Sequence, residues 1–274
     1  MKASEVSKVP PIGPRIVLKG LGLAIIIGVY FIECALGIFF IRGEFARRRY
    51  QIHAIARSSR RVCWLLGVRL HLEGNVPQGN PSSRKPAFVV SNHLSFLDVI
   101  ALAPIWPSAF VTSVEVKLSG FLGWITQAGG CLFVERRNKD RLEEEKKEIA
   151  EVLRLGHSVF VFPESTSSDG VSVLPFKAAL FDCAIASGRP IQPLTLRYTR
   201  INGIIPDPVL LDHVLYYGDH DFTSQMIKML SLRRIEATVF FHPEASIQNG
   251  AERKMLANDT HSWIVDRYAK LGIS

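Results

Sequence analysis

A histidine and an aspartate five residues apart are the first candidates for chemistry in this sequence. Residues 88–90 are apolar and predict a short buried strand, which runs into Ser91-Asn92-His93, and Asp98 follows. On one continuous helix, positions five apart lie about 140° apart, so the pair can meet only if His93 lies in a strand-to-helix turn. In that arrangement Asp98 would hold one ring nitrogen and leave the other to act as a general base.

A second explanation of Asp98 needs no catalysis. Ser95 stands before an apolar helical run, and Asp98 follows it by three residues, which is the spacing of a capping box. Asp98 would then only cap a helix, and His93 would be an ordinary exposed histidine. The spacing alone leaves both explanations open.

Four short blocks in a fixed order resemble one known family, the glycerolipid acyltransferases, which includes the bacterial 1-acylglycerol-3-phosphate acyltransferases. Asn92-His93-x-x-x-x-Asp98 is similar to the first block of that family, and the other three follow it along the chain. They are Gly130 to Arg136, Val161 to Ser168 and Pro190 to Leu194.

The resemblance implies an α/β fold, with a mostly parallel twisted sheet flanked by helices. It also implies an enzyme that moves a fatty acyl group from acyl-CoA or acyl carrier protein to the free hydroxyl of a lysophospholipid. The first expected acceptor is 1-acylglycerol-3-phosphate, which would give phosphatidic acid. His93 would be the base and Asp98 its partner, and the acceptor alcohol would be the nucleophile. Apart from the acyl donor as co-substrate, we expect no cofactor.

The second and third blocks imply where the acceptor binds. By resemblance, Arg136 would hold the acceptor's phosphate, which suits a planar guanidinium. Glu164 would hydrogen-bond the acceptor, with Ser165 and Thr166 in the same turn, and Lys177 would add charge from the next segment.

Two departures from the family pattern bear on the acceptor. Ser165 replaces a glycine, which raises the question of whether the backbone keeps a torsion that favours glycine. Ser167 replaces an arginine and so removes one expected phosphate ligand. The region around residues 167–181 and 214–222 is similar to lyso-ornithine lipid O-acyltransferases, whose acceptor has no phosphate, and this is the alternative acceptor.

Composition indicates an anionic partner without choosing one. The chain has 274 residues, 47% of them hydrophobic, and a formal net charge of +8, which suits anionic lipid, a phosphorylated substrate, acidic carrier protein or nucleic acid. The four cysteines are far apart and lack ligand spacing, so we expect free thiols and no metal. Beside the four blocks, the lipid and acyl-donor partners are preferred over nucleic acid.

The N-terminal residues 1–67 predict a membrane segment ahead of a catalytic domain at 68–274. Residues 20–41 are apolar except for Glu33, and at ~1.5 Å per residue a helix over them is ~33 Å long, enough to cross a bilayer. Because a mid-bilayer carboxylate is costly, the run could instead break into a re-entrant pair of helices. Residues 42–67 read as a basic amphipathic helix in the headgroup region, or as a solvated basic face. We expect the inner membrane, with the catalytic domain facing the cytoplasm.

Two other classes of function stay open. A tethered hydrolase could use the same His/Asp pair, although the GxSxG motif of a nucleophile elbow does not occur in the sequence. A non-catalytic, membrane-anchored lipid-binding protein would explain the arginines and the apolar run, but not the four ordered blocks.

Overall fold

A computed structural model of the chain describes residues 9–135, 139–247 and 250–272. The strands are β1 (Val68–Gly74), β2 (Phe88–Ser91), β3 (Ala109–Ser113), β4 (Leu132–Val134), β5 (Val159–Val161), β6 (Ile191–Ile201) and β7 (Ile235–Phe241). The helices are α1 (Pro14–Phe40), α2 (Glu44–Leu66), α3 (Phe96–Leu102), α4 (Val114–Leu118), α5 (Phe121–Ala128), α6 (Lys139–Arg154), α7 (Phe181–Ser187), α8 (Pro208–Leu211), α9 (Phe222–Ser231) and α10 (Arg253–Leu271).

The seven strands form one sheet in the order β1-β7-β6-β2-β5-β3-β4. Strands β6, β2, β5, β3 and β4 are parallel, while β7 is antiparallel to β6 and parallel to β1. The expected α/β class with a mostly parallel sheet is therefore confirmed. Because the central strands are parallel, their carboxyl ends lie at one edge of the sheet, which is where open α/β sheets place ligands.

The central strands have the composition that burial on both faces requires. All four residues of β2 and all three of β5 are buried, and both segments are nearly continuous apolar runs. A parallel strand covered by helices on both faces has no solvent side to make polar, so no alternation appears. The rings of Phe110 and Phe160 stack at 4.9 Å between the neighbouring strands β3 and β5.

The N-terminal region is an antiparallel hairpin of two long helices. Helix α1 is continuous over Pro14–Phe40, so the alternative break of residues 20–41 into two helices does not occur within it. Gly37 faces the ring of Tyr50, and Gly22 faces Leu65, which lets α1 and α2 approach closely along their length. Near the start of α1, the Lys19 ammonium donates to the backbone carbonyls of Leu66 and Leu232 and so ties α1 to the body of the protein.

Glu33 is paired across this hairpin. Its carboxylate accepts hydrogen bonds from Arg57 at 3.2 and 3.3 Å and from Arg61 at 2.8 Å. An isolated carboxylate in an apolar run would be costly, but a carboxylate with two guanidinium partners is compensated. The charge that argued against a single helix is therefore accommodated by α2 without a break.

Helix α1 keeps an apolar surface on its outer side. It is the one described helix with the length and hydropathy to cross a membrane, and most of its apolar stretch is exposed. The large exposed side chains on it include Leu18, Leu21, Ile25, Ile32 and Phe39. Such a stripe is far more apolar than an ordinary solvated helix face.

Helix α2 differs from the expected headgroup helix. Its apolar residues Ile52, Val62 and Leu66 pack into the same hydrophobic core as the sheet, while Trp64 is 83% exposed. The apolar side of α2 therefore faces protein, and three of its arginines pair with other helices: Arg57 and Arg61 with Glu33 of α1, and Arg48 with Glu148 of α6. The structure changes from helix to strand at Gly67, although the expected division into two domains at that point stays a prediction.

Gly67 provides a test of how tightly this junction is built. It caps α2 in the left-handed conformation, and a Cβ there would meet the backbone carbonyl of Arg233. Gly188 caps α7 in the same conformation, but a Cβ there meets nothing within 4 Å. Gly188→Ala should cost only the torsional penalty of about 1–2 kcal/mol, and Gly67→Ala clearly more, in urea unfolding. Equal losses would contradict the close α2–β7 junction.

Candidate active site

The turn from β2 into α3 brings His93 and Asp98 together. The Nδ1 atom of His93 lies 2.8 Å from Oδ2 of Asp98. The Asp98 side chain is fully buried, whereas the His93 side chain is 21% exposed. The pair therefore has one inaccessible partner and one that a substrate can reach, as a general base and its orienting carboxylate require.

Asp98 makes both sets of contacts that the spacing allows, the contact with the His93 ring and those of a helix cap. Its Oδ2 also accepts hydrogen bonds from the backbone N–H groups of Leu94 at 2.6 Å and Ser95 at 2.9 Å. Ser95 Oγ accepts from the Leu97 N–H, so the capping box is complete. The helix cap is thus the device that holds the carboxylate against the His93 ring.

Tyr198 is a site residue that the sequence did not reveal. This tyrosine lies in the second half of β6, and its side chain is buried. Its hydroxyl donates to Oδ1 of Asp98 at a distance of 2.6 Å. Burial and the neighbouring Asp98 raise the pKa of Tyr198 well above its ordinary value, so the hydroxyl stays a donor. The sequence shows only that Tyr198 lies in a strand with many apolar residues. A tyrosine buried there needs a hydrogen-bond partner for its hydroxyl, but the sequence does not name that partner.

Glu164 supports the same turn from the neighbouring strand. Strands β2 and β5 are paired in parallel, and His93 follows β2 while Glu164 follows β5. One carboxylate oxygen of Glu164 accepts from the His93 N–H and the other from the Leu174 N–H, both at 2.6 Å. The structure thus places Glu164 as a support of the His93 turn, while its expected contact with an acceptor stays a prediction.

The imidazole and its flanking residues are fixed by further contacts. The His93 ring stacks on Phe162 with centroids 4.1 Å apart. The Asn92 side chain both accepts from the Leu196 N–H and donates to the Leu196 carbonyl, at 2.8 and 2.9 Å. Asn92 therefore locks the end of β2 to β6, which explains why an asparagine precedes the histidine.

The turn after β5 keeps its left-handed torsion despite the loss of glycine. Ser165 has φ 68°, a conformation that costs a residue with a Cβ roughly 1–2 kcal/mol. Its N–H donates to the Phe162 carbonyl at 3.1 Å, which closes the turn. The question raised by the Ser165 replacement is answered: the backbone shape is retained at an energetic cost.

The other predicted acceptor residues gather around this turn only in part. Thr166 and Lys177 are both exposed. The backbone N–H of Lys177 donates to the Pro163 carbonyl at 2.8 Å. Ser167, which replaces the family's arginine, donates its hydroxyl to the Tyr216 carbonyl. Arg136 lies outside the described residues, so its phosphate-binding role stays a prediction.

Backbone N–H groups at the turn of an active site are common donors to a developing oxyanion. Those of His93, Leu94 and Ser95 already donate to the carboxylates of Glu164 and Asp98. They are committed to shaping the turn, so an oxyanion requires other donors.

Known proteins show similarity at two levels of coverage. An acyltransferase family model matches residues 67–197. A 1-acyl-sn-glycerol-3-phosphate acyltransferase of Neisseria meningitidis is 36% identical over 134 residues, which cover 48% of this chain and 52% of that protein. The chain thus spans about half the length of that relative. A lyso-ornithine lipid O-acyltransferase of Rhodobacter capsulatus is 34% identical over 206 residues, which cover 72% of this chain and 69% of that protein.

This chain belongs to the acyltransferase family. The crystal structure of the 1-acyl-sn-glycerophosphate acyltransferase from Thermotoga maritima has the same fold, with a TM-score of 0.65 and 19% identity. That similarity covers 94% of this chain and 96% of the Thermotoga chain, so it includes the helical hairpin as well as the sheet. The acyltransferase fold thus extends over nearly the whole chain.

Glu164 predicts a pH dependence of stability in this acyltransferase. Burial raises the pKa of Glu164 to about 7, against the two backbone N–H bonds that lower it. Between pH 4.5 and about 7 the folded protein keeps a proton that the unfolded chain releases, so stability falls as the pH rises, by up to about 3 kcal/mol.

Urea unfolding across that interval measures this contribution. The Glu164→Gln variant cannot titrate and should show a flatter slope of stability against pH, whatever its absolute stability. Identical slopes for the two proteins would show that folding does not raise the pKa of Glu164.

Proposed function

We propose that this acyltransferase moves a fatty acyl group from a thioester donor to the free hydroxyl of a lysolipid. The observation that carries the proposal is the His93–Asp98 pair, in which a buried, four-fold hydrogen-bonded carboxylate orients a substrate-accessible imidazole. A lipid-binding protein has no need of such a pair, and the family membership adds the reaction class.

The mechanism assigns each nitrogen of His93 a separate role. The Nδ1–H group donates to Asp98, so Nε2 carries the lone pair that takes the proton from the acceptor hydroxyl. The alcohol oxygen then attacks the thioester carbonyl carbon and forms a tetrahedral intermediate. When the carbon–sulfur bond breaks, the leaving thiolate takes the proton back from His93. No acyl-enzyme intermediate is formed, because the acceptor alcohol is itself the nucleophile.

The donor in this proposal is acyl-CoA or acyl carrier protein, with no further cofactor. Both donors are anionic, and the net charge of +8 suits either one. Within the described residues, no group of three or more His, Cys, Asp or Glu side chains is arranged to hold a metal ion. Proton transfer by His93 supplies the activation that the reaction needs.

The first candidate acceptor is 1-acylglycerol-3-phosphate, with Arg136 as the phosphate ligand. The second candidate is lyso-ornithine lipid, and a specific observation favours it. Ser167 stands where the family has an arginine, and its hydroxyl is used within the protein, on the Tyr216 carbonyl. The side chain at position 167 therefore has no positive charge with which to bind a phosphate. The relatives that match over more than two thirds of their own length also include lyso-ornithine lipid O-acyltransferases.

The membrane location belongs to the same proposal. A lysolipid and its product both reside in the bilayer, so an apolar α1 surface would let the enzyme reach its acceptor without extracting it into water. Soluble acyl donors are made in the cytoplasm, which favours an inner-membrane enzyme with its site on that side.

An acyl-transfer assay tests the reaction and separates the two acceptors. Detergent-purified protein would receive labelled acyl-CoA or acyl carrier protein, with lysophosphatidic acid or lyso-ornithine lipid as acceptor. We expect transfer to one acceptor, and a loss of about 10² to 10⁴-fold in His93→Ala, because that is what a general base typically contributes.

The matched control is His71→Ala, which removes an exposed histidine of β1 that pairs with Glu236. It should keep normal turnover. Unchanged transfer by His93→Ala would refute the assigned base, and lysolipid binding without any transfer would support the non-catalytic alternative. Transfer only to lyso-ornithine lipid would exclude the first acceptor while leaving the chemistry intact.

A further inference from the structure

A second candidate site lies at the edge of the sheet opposite His93. A cavity of about 250 Å³ is lined by the segments that precede β2, β3 and β5 and by the first half of α2. Since these three strands are parallel, those segments lie where the strands begin, whereas His93 lies where β2 ends. The cavity is therefore separate from the active site.

Cationic and titratable side chains converge on this cavity from three segments. Arg49 and His53 lie one turn apart on α2, Arg84 precedes β2, and His157 precedes β5. None of the described residues that line the cavity is an aspartate or glutamate. The positive charge of the lining is therefore not balanced within the cavity.

Two buried nitrogen atoms in this lining have no hydrogen-bond partner among the described residues. His157 is only 5% exposed, and its Nε2 is buried without a partner, although the ring stacks on Phe45 at 4.5 Å. Arg84 lies over the ring of Trp106 at 4.9 Å, and its Nε is also buried and unpaired. Buried polar atoms are nearly always paired in native proteins, so two such atoms in one cationic lining point to an anionic ligand.

The titration behaviour of the two histidines agrees with this geometry. Burial, followed by the charges of Arg48, Arg49 and His53, lowers the pKa of His157 to about 4. Burial, Arg49 and Arg57 likewise lower the pKa of His53. The cations around the cavity thus repel further positive charge, and an anion between them would relieve that repulsion.

The size and the donors of the cavity indicate the chemical class of the anion. At about 250 Å³ the cavity is larger than a single halide ion needs. Guanidinium groups fit the oxygens of a phosphate, and donors that come from three directions suit a tetrahedral group. The rings of Phe45 and Trp106 line the same space and leave room for an organic substituent.

We propose that this cavity binds the phosphate of a phosphate ester, independently of the catalytic site. A soluble phosphate ester and a lipid headgroup share this chemistry. The cavity adjoins the turn between α1 and α2, where Phe39 and Phe40 are 81% and 71% exposed. That position makes a lipid headgroup accessible to it, so the test includes both sources.

Isothermal titration of the full-length protein, in detergent and phosphate-free buffer, tests the site with inorganic phosphate and glycerol 3-phosphate. We expect saturable binding that Arg49→Gln and His53→Gln each weaken about tenfold, because each removes a contact to a charged group. Neither side chain is hydrogen-bonded or ion-paired to another described residue, so both variants should fold. Arg47→Gln is the matched control, since Arg47 is exposed on the same helix and does not line the cavity.

Further arms separate the ligand sources and the two sites. Detergent micelles doped with phosphatidic acid would displace glycerol 3-phosphate if a headgroup enters the cavity, and would leave it bound if the site takes only soluble esters; either outcome supports the proposal. His93→Ala should bind phosphate as the wild type does. Absence of saturable binding, binding unaffected by Arg49→Gln and His53→Gln, or binding lost in His93→Ala would overturn it.

Discussion

The Asp98 carboxylate is the interaction on which the rest of this structure depends. Four donors reach it: the His93 ring, the backbone N–H groups of Leu94 and Ser95, and the Tyr198 hydroxyl. All four are donors, which is the pattern that a buried carboxylate requires. The same two oxygens therefore begin a helix, fasten that helix to β6 and orient the imidazole, so the site cannot be separated from the fold that holds it.

Glu164 performs the corresponding task from the other side of the turn. Its two oxygens accept from the His93 N–H and the Leu174 N–H, and so join the end of β2 to the segment after β5. Two buried carboxylates thus satisfy the backbone donors of one short turn. The His93 side chain therefore stays partly exposed, while the groups that hold its turn, Asp98 and Glu164, are buried.

The sequence was informative where one short stretch decides the structure. The strand before His93 and the helix cap formed by Ser95 and Asp98 were predicted because the pattern of each is local. The sequence does not reveal that Tyr198 contacts Asp98 or that Glu164 contacts the His93 N–H, because these partners lie about 70 to 100 residues apart along the chain. Pairing of Glu33 with Arg57 and Arg61 likewise depends on α1 and α2 folding back on each other, which a run of apolar residues does not specify.

The tautomer of His93 is the most direct test of this account. Long-range ¹H–¹⁵N correlation spectra of histidine-labelled protein, with His93→Gln for assignment, report which ring nitrogen carries the proton when the ring is neutral. We expect a proton on Nδ1, bonded to Asp98, and an unprotonated Nε2 that can accept the substrate's proton. A neutral ring protonated on Nε2 would contradict it, because the nitrogen exposed to the substrate would then have no lone pair with which to act as a base.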